Sequence, residues 1–270
     1  MRTPRDKTKI CRAGRRDRHR ERCIGHVLAR PAVLFACLVL HILSAACAGA
    51  FNVPETLRYD LVWTGVKAGE ATLEVRSDGT GLRITSIANS ARWVSFFFKV
   101  NDKIESVLRS NPEQLPGRPV AYRVNLSEGR YRRHKEVVFD HETLRAVYID
   151  HIRNERAETD VPSRFFDPLS SFYHLRYMDL KAGRSVHVPV FDNKKVSEVE
   201  VLVLRNERVT VPAGSFDTIL VKPLMKSEGI FASRGEIYIW LTDDERRIPV
   251  RLKIKVRIGS VIANLAGGTY

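Results

Sequence analysis

The chain has 270 residues, 45 Lys/Arg against 31 Asp/Glu, a formal charge of +14, and four cysteines. The basic excess is concentrated at one end. Eleven Lys/Arg and three acids fall within the first 30 residues, which leaves 34 against 28, or +6, for the rest. A mildly basic remainder without a zinc, helix-turn-helix or RNA-binding signature excludes a nucleic-acid binder. Its basic patches suit a lipid or another anionic envelope component, with peripheral membrane contact.

The N-terminus reads as an export leader. An arginine-rich start leads into the apolar stretch Val33–Leu43, interrupted by His41, and then to the small residues Ala46-Cys47-Ala48-Gly49-Ala50. A signal of this kind needs a positive start, an apolar core of about 7–15 residues and a small-x-small cleavage site. The core is shorter than the roughly 20 residues that span a bilayer. The expected organisation is a leader over 1–50, cleaved after Ala48 or Ala50, and a single domain over 51–270. Two alternatives stay open. Cys47 follows a lipoprotein-like stretch, although Ser44 stands where that signal prefers Leu, so acylation of Cys47 would anchor the chain. An uncleaved signal anchor is the other. The long polar start also admits initiation near Val27. All four cysteines (Cys11, Cys23, Cys37, Cys47) lie in the leader, so the exported domain forgoes disulfides although its compartment permits them. The expected location is periplasmic or otherwise extracytoplasmic.

Beyond the leader, apolar residues recur with period two, the signature of half-buried strands. Leu57, Tyr59, Leu61 and Trp63 alternate with Arg58, Asp60, Val62 and Thr64. Turns at 65–69 and 77–81 separate this strand from a second at Ala71–Val75 and a third at Leu82–Ala88, an antiparallel meander. Further strands are expected at 103–109, 120–127, 130–139, 145–149, 185–190, 196–204, 207–211, 218–223, 236–241 and 250–258. Ala91–Phe98 is an ambiguous short helix. Asp167–Tyr177 is a better one, with Asp167 as cap, Pro168 at the first helical position and Leu169, Phe172 and Tyr173 on one face. The Pro-rich stretch 111–119 is a loop within one domain. The fold class is mainly β: a single large curved antiparallel sheet, or partly open barrel, with one or two short helices. A sheet of this size must curl or close.

Several phrases resemble an uncharacterised bacterial exported family, the domain of unknown function numbered 3108. They are Tyr59-Asp60-Leu61-Val62-Trp63-Thr64-Gly65-Val66-Lys67-Ala68-Gly69-Glu70-Ala71, Asp167 to Arg176, Glu207 to Thr218, and Ile239 to Val250 followed by Ile258-Gly259-Ser260-Val261. The resemblance implies an extracytoplasmic β-rich domain and brings no catalytic residues.

No catalytic signature stands out, so the domain is expected to be non-enzymatic, with no cofactor. Ser170, Ser171 and His174 share one short helix without a partner to orient a base. Asp243 and Asp244 sit in a turn that needs such residues anyway. If 130–140 and 145–150 form a hairpin, residue 140 faces 145 and His134 faces His151, a weak candidate metal pair about 5 Å apart at Cβ. Arg132 and Arg133, and the strand-face ladder Arg251, Lys253, Lys255 and Arg257, are candidate basic surfaces. Trp63, Trp93, Phe96, Phe97 and Trp240 are candidate ligand-binding aromatics of a concave sheet, weighed against an ordinary aromatic core. The function these features suit is binding of an apolar or amphiphilic ligand or an envelope partner. The alternative is an envelope hydrolase with its site in the concave face.

Overall fold

The structure is a computed structural model and describes residues 50–192, 194–224, 236–255 and 259–270. The chain divides into two compact units, 1–46 and 47–270. The first, with Cys11, Cys23 and Cys37, lies outside the described residues, as does Cys47. No helix among the described residues is long and apolar enough to cross a membrane.

The second unit is built on one antiparallel sheet of fourteen strands. In chain order these are β1 (Glu55–Trp63), β2 (Val66–Asp78), β3 (Gly81–Ser90), β4 (Asn101–Arg109), β5 (Arg118–Glu128), β6 (Tyr131–Asp140), β7 (Arg145–Asp150), β8 (Glu155–Asp160), β9 (Ser185–Asp192), β10 (Lys195–Val211), β11 (Gly214–Leu224), β12 (Ile237–Thr242), β13 (Pro249–Lys255) and β14 (Ser260–Thr269). Two helical segments interrupt them: α1 (Arg92–Ser95) and α2 (Pro168–His174), the latter continued by a 3-10 turn over Leu175–Tyr177. Across the sheet the order is β8-β7-β6-β5-β4-β3-β2-β1-β14-β13-β12-β11-β10-β9. Two meanders are therefore joined where the first strand pairs with the last. That seam carries a bulge: Arg58 faces Gly267 and Tyr59 faces Leu265.

Alternation decides which face is buried. Leu57, Tyr59, Leu73, Val75, Ile84, Leu108, Val250 and Leu265 form one core cluster. Tyr122, Val124, Phe139 and Tyr148 of β5–β7 pack with Phe165 and with Phe191 of β9 in a second. Residues so far apart along the sheet share a core only because the sheet curls. Twisted sheets of this width do so. The sheet does not close. Instead the chain leaving β8 runs beside β9, where the Phe166 amide donates to Pro189 O at 2.9 Å and Phe191 donates to Phe166 O at 2.7 Å. One sheet edge is thus covered by the segment that leaves the other, which removes an unpaired template.

Two expectations need correction. The separate strands at 196–204 and 207–211 are one continuous β10, because a bulge between Val203 and Arg205 carries the exposed Arg205-Asn206 pair without breaking the ladder. The last of the expected strands, 250–258, is described as Pro249–Lys255; residues 256–258, including Arg257, lie outside the described residues. Strands β8 and β14 had no counterpart in the sequence pattern.

Candidate functional site

The site is organised by α2. Asp167 stands in extended backbone just before the helix. One carboxylate oxygen accepts from the amides of Leu169 and Ser170 at 2.9 and 3.0 Å. The other accepts from the Ser170 hydroxyl at 2.8 Å and from the hydroxyl of Ser106 on β4 at 2.6 Å. The cap starts the helix and also ties it to the sheet. Complete burial pushes the Asp167 carboxyl pKa up, against these donors, which favour the charged form. The Pro-rich loop grips the other flank. Gln114 Nε2 donates to Phe165 O at 2.6 Å, and His174 Nδ1 lies 2.6 Å from Leu115 O. The imidazole stacks on Phe166 with centroids 4.1 Å apart, and burial pushes its pKa down.

Held in this way, α2 and the 3-10 turn that continues it bring Leu169, Phe172 and Leu175 to the concave face. A cavity of about 290 Å³ lies between them and strands from both meanders. Ala71, Leu73 and Ile104 line it from one side; Val190, Val201, Ile239, Leu252, Ile254 and Ala263 line it from the other. Two of its lining hydroxyls bond elsewhere. The Tyr59 hydroxyl donates to Pro249 O at 2.8 Å, and Ser171 Oγ donates to Pro168 O at 2.9 Å. Burial pushes the Tyr59 phenol strongly up. No Asp, Glu, His, Lys, Arg or Cys lines the cavity among the described residues. Chemically the space can desolvate an apolar group, and it offers no acid–base pair.

None of Trp63, Trp93, Phe96, Phe97 and Trp240 lines this cavity. Trp63 is half-buried at the end of β1. Trp240 on β12 is half-buried against the first core cluster rather than in the cavity; its Nε1 donates to Glu207 at 2.6 Å, with the Arg251 guanidinium 5.9 Å from its ring. Trp93, Phe96 and Phe97 sit together on and just after α1, all exposed. Strand geometry would have sent such neighbours to alternate faces, whereas a helical turn puts them at one end of the sheet.

The basic candidates separate likewise. Arg132 donates to the carbonyls of Gly129 and Tyr131, both at 2.8 Å, and Arg133 lies beside Tyr148. Lys253 and Lys255 are far along the sheet on β13. Lys255 is paired: it shares Glu236 with Lys222, and hydrogen bonds from Lys222, Lys255 and Tyr238 pull the Glu236 carboxyl down to about 2. His134 and His151 are brought together, with ring centroids 4.4 Å apart, because Lys135 pairs with Asp150 and the ladder runs one residue further. No third His, Cys, Asp or Glu completes a metal-holding group among the described residues. Ser170 bonds Asp167 rather than His174, and the Asp244 carboxylate is spent on the amides of Arg246 and Arg247, both at 3.1 Å.

Sequence reasoning found α2 and its cap but not the cavity beneath it. Most lining residues are ordinary strand alanines, valines, leucines and isoleucines, and only their meeting across the curled sheet marks them.

No curated protein matches the chain. Among solved structures it is similar to a beta-barrel-like protein of the domain of unknown function DUF1849 from Brucella abortus, with a TM-score of 0.53 at 11% identity over 80% of this chain and 97% of that one. A protein from Bacteroides fragilis, described as a "putative exported protein with YmcC-like fold", aligns over 81% of this chain and 97% of its own at 10% identity, with a TM-score of only 0.31. The first likeness supports the barrel-like sheet. The profile of a protein family of unknown function, DUF3108, matches residues 58–266, nearly the whole described sheet. The chain belongs to the DUF3108 family.

Proposed function

We propose that this is an extracytoplasmic, non-enzymatic binding protein that takes one apolar or amphiphilic ligand into the cavity beneath α2. The observation that carries the proposal is the lining: mostly apolar side chains from both meanders and from α2, without an Asp, Glu, His, Lys, Arg or Cys among the described residues. Ligand pockets are mostly apolar and concave, commonly about 300–1,000 Å³. At about 290 Å³ this one suits a single slender apolar group rather than a bulky ring system. The extracytoplasmic placement rests on the arginine-rich start, the short apolar core and the small-x-small residues before Phe51. Release by cleavage and anchoring through an acylated Cys47 are both compatible with it. A hydrolase would need convergent polar side chains in the concavity, and no observation here favours one.

The test is a binding measurement with cis-parinaric acid, a slender fluorescent polyene fatty acid. Ala263→Phe places a ring in the cavity. The parent should bind saturably and Ala263→Phe should bind at least about tenfold more weakly, the effect of removing the apolar space that the probe occupies. Equal binding by the two, with both folded by circular dichroism, would sink the proposal. Mass spectrometry of the protein from its own envelope fraction would then identify the natural ligand class.

A further inference from the structure

Strongly exposed aromatic residues gather on one tip among the described residues. Trp93, Phe96, Phe97 and Phe98 are all solvent-exposed, Phe96 at 94% and Phe97 at 60%. The tip is built rather than loose. Val94 is buried beneath it and accepts from the amides of Phe97 and Phe98 at 3.0 and 2.7 Å. The Trp93 indole donates to Lys67 O at 3.1 Å, which fastens the tip to the β1–β2 turn. The β5–β6 turn joins it: Gly129 donates to Lys99 O at 2.8 Å, and the Phe98 ring lies so close over Gly129 that a Cβ there would come within 2.7 Å of it. Tyr131, which opens β6 just after that turn, is also exposed.

Cations outnumber acids around this tip, the nearest acids being Glu128, which bridges Val100, and Glu70, which pairs with Lys67. Residues 91–100 and 129–133 contain Arg92, Lys99, Arg130, Arg132 and Arg133 and no acid, and the first four of these are exposed. A contiguous exposed apolar patch marks an interaction site. Its chemistry narrows the partner. Aromatic side chains favour the headgroup level of a bilayer, and cationic side chains beside them are drawn to anionic lipid within a Debye length. A groove would fit a peptide; a convex tip whose outermost residue is an almost wholly exposed phenylalanine fits insertion between lipids. We infer that the aromatic tip of residues 92–99, ringed by the cations of the β5–β6 turn, is a docking site for an anionic lipid bilayer. This does not depend on the cavity beneath α2, and either could fail alone.

The test uses the full chain in flotation with vesicles of phosphatidylcholine with and without phosphatidylglycerol. The parent should float with the anionic vesicles, less so in high salt, and scarcely with phosphatidylcholine alone. Phe96→Ser and Phe97→Ser should each weaken binding about tenfold, the order expected for withdrawing one phenylalanine from an apolar environment. Phe96→Trp should retain it. Arg130→Glu should reduce binding and flatten its salt dependence. A blue shift of tryptophan emission on adding vesicles should vanish in Trp93→Phe. Undiminished flotation of the Phe96→Ser/Phe97→Ser protein would overturn the inference. So would a parent that ignores vesicles and instead self-associates through the tip, shown by a mass in solution that falls to the monomer only in that double variant.

Discussion

The Glu55 carboxylate and the Arg176 guanidinium face each other through two hydrogen bonds, Nη1 to Oε2 at 2.7 Å and Nη2 to Oε1 at 2.8 Å, with neither side chain measurably exposed. The guanidinium also donates to Ala50 O at 3.1 Å and, from Nε and Nη2, to Arg246 O at 3.0 and 2.9 Å, while the Phe51 ring lies 4.9 Å away. Tyr173 donates to the same carboxylate at 3.2 Å. The start of β1, the end of α2 and the β12–β13 turn meet at this one ion pair. Removing either partner leaves an uncompensated buried charge, so Glu55→Gln and Arg176→Met should each cost about 3–5 kcal/mol in urea unfolding. Arg176→Lys should not rescue, since an ammonium cannot reach both carboxylate oxygens and the carbonyls together.

The cap of α2 separates hydrogen bonding from charge. Asp167→Ala should cost about 1–2 kcal/mol through the lost cap. Asp167→Asn keeps acceptors for the helix amides and should be close to neutral at pH 7. Burial raises the folded pKa of Asp167 above its unfolded value. The stability this group contributes is therefore full in acid and is lost as pH rises through the folded pKa. The difference in unfolding free energy between Asp167→Asn and the parent should accordingly shift in favour of Asn as pH rises from 4 towards 7. A difference that is flat with pH would show that the donors, not burial, set this carboxyl.

A second buried pair is poorly satisfied. Lys135 on β6 and Asp192 at the end of β9 lie 3.8 Å apart, both nearly inaccessible, and neither Asp192 oxygen accepts a hydrogen bond among the described residues. Burial pushes the Lys135 amine down to about 8. Its folded pKa is thus below its unfolded one, so the cost of burying the cation is fully present below pH 8 and is relieved as pH rises towards about 10. Stability should climb over that window before the buried tyrosines begin to oppose it. Lys135→Met should destabilise by about 3 kcal/mol, because it strands the Asp192 charge. Lys135→Met/Asp192→Leu should match or exceed the parent by about 1–4 kcal/mol and lose the climb.

At the seam, Gly268 has φ of +147°, and a Cβ there would stand 1.9 Å from Thr56 O. Gly268→Ala should cost at least about 2 kcal/mol. Gly65→Ala, at φ +87° but with nothing within 4 Å, carries only the backbone strain and should cost less. Urea midpoints of the two variants rank them.

The fold was largely legible because alternation survives wherever one sheet face is buried, and the α2 boundaries followed from Asp167 and Pro168. Strand β8, Glu-Arg-Ala-Glu-Thr-Asp, escaped because an edge strand has no apolar stripe to show. Strand β14 escaped because Asn264 and the glycines that permit its bulge blur the period. The hairpin register that pairs His134 with His151 followed from strand ends and turn length alone. The site was not legible: the singled-out tryptophans and phenylalanines pointed towards a cavity, yet none of them lines it, while the cavity wall is made mostly of unremarkable aliphatics.

Pairing Thr56 with Thr269 has a consequence for assembly in time. Each meander is made of neighbouring hairpins, so nearly every ladder forms between segments close in sequence and closes a short loop at small entropic cost. The exception is the pairing of β1 with β14, whose partners are separated by almost the entire domain. As the chain emerges from its N-terminus, β1 has a neighbour on one side and waits for its other until the last residues arrive. The middle of the finished sheet is therefore its last ladder to form, and a chain that has lost only its final ten residues would lose the one strand ladder between its halves, leaving the Phe166 contact with β9 and side-chain packing to hold them.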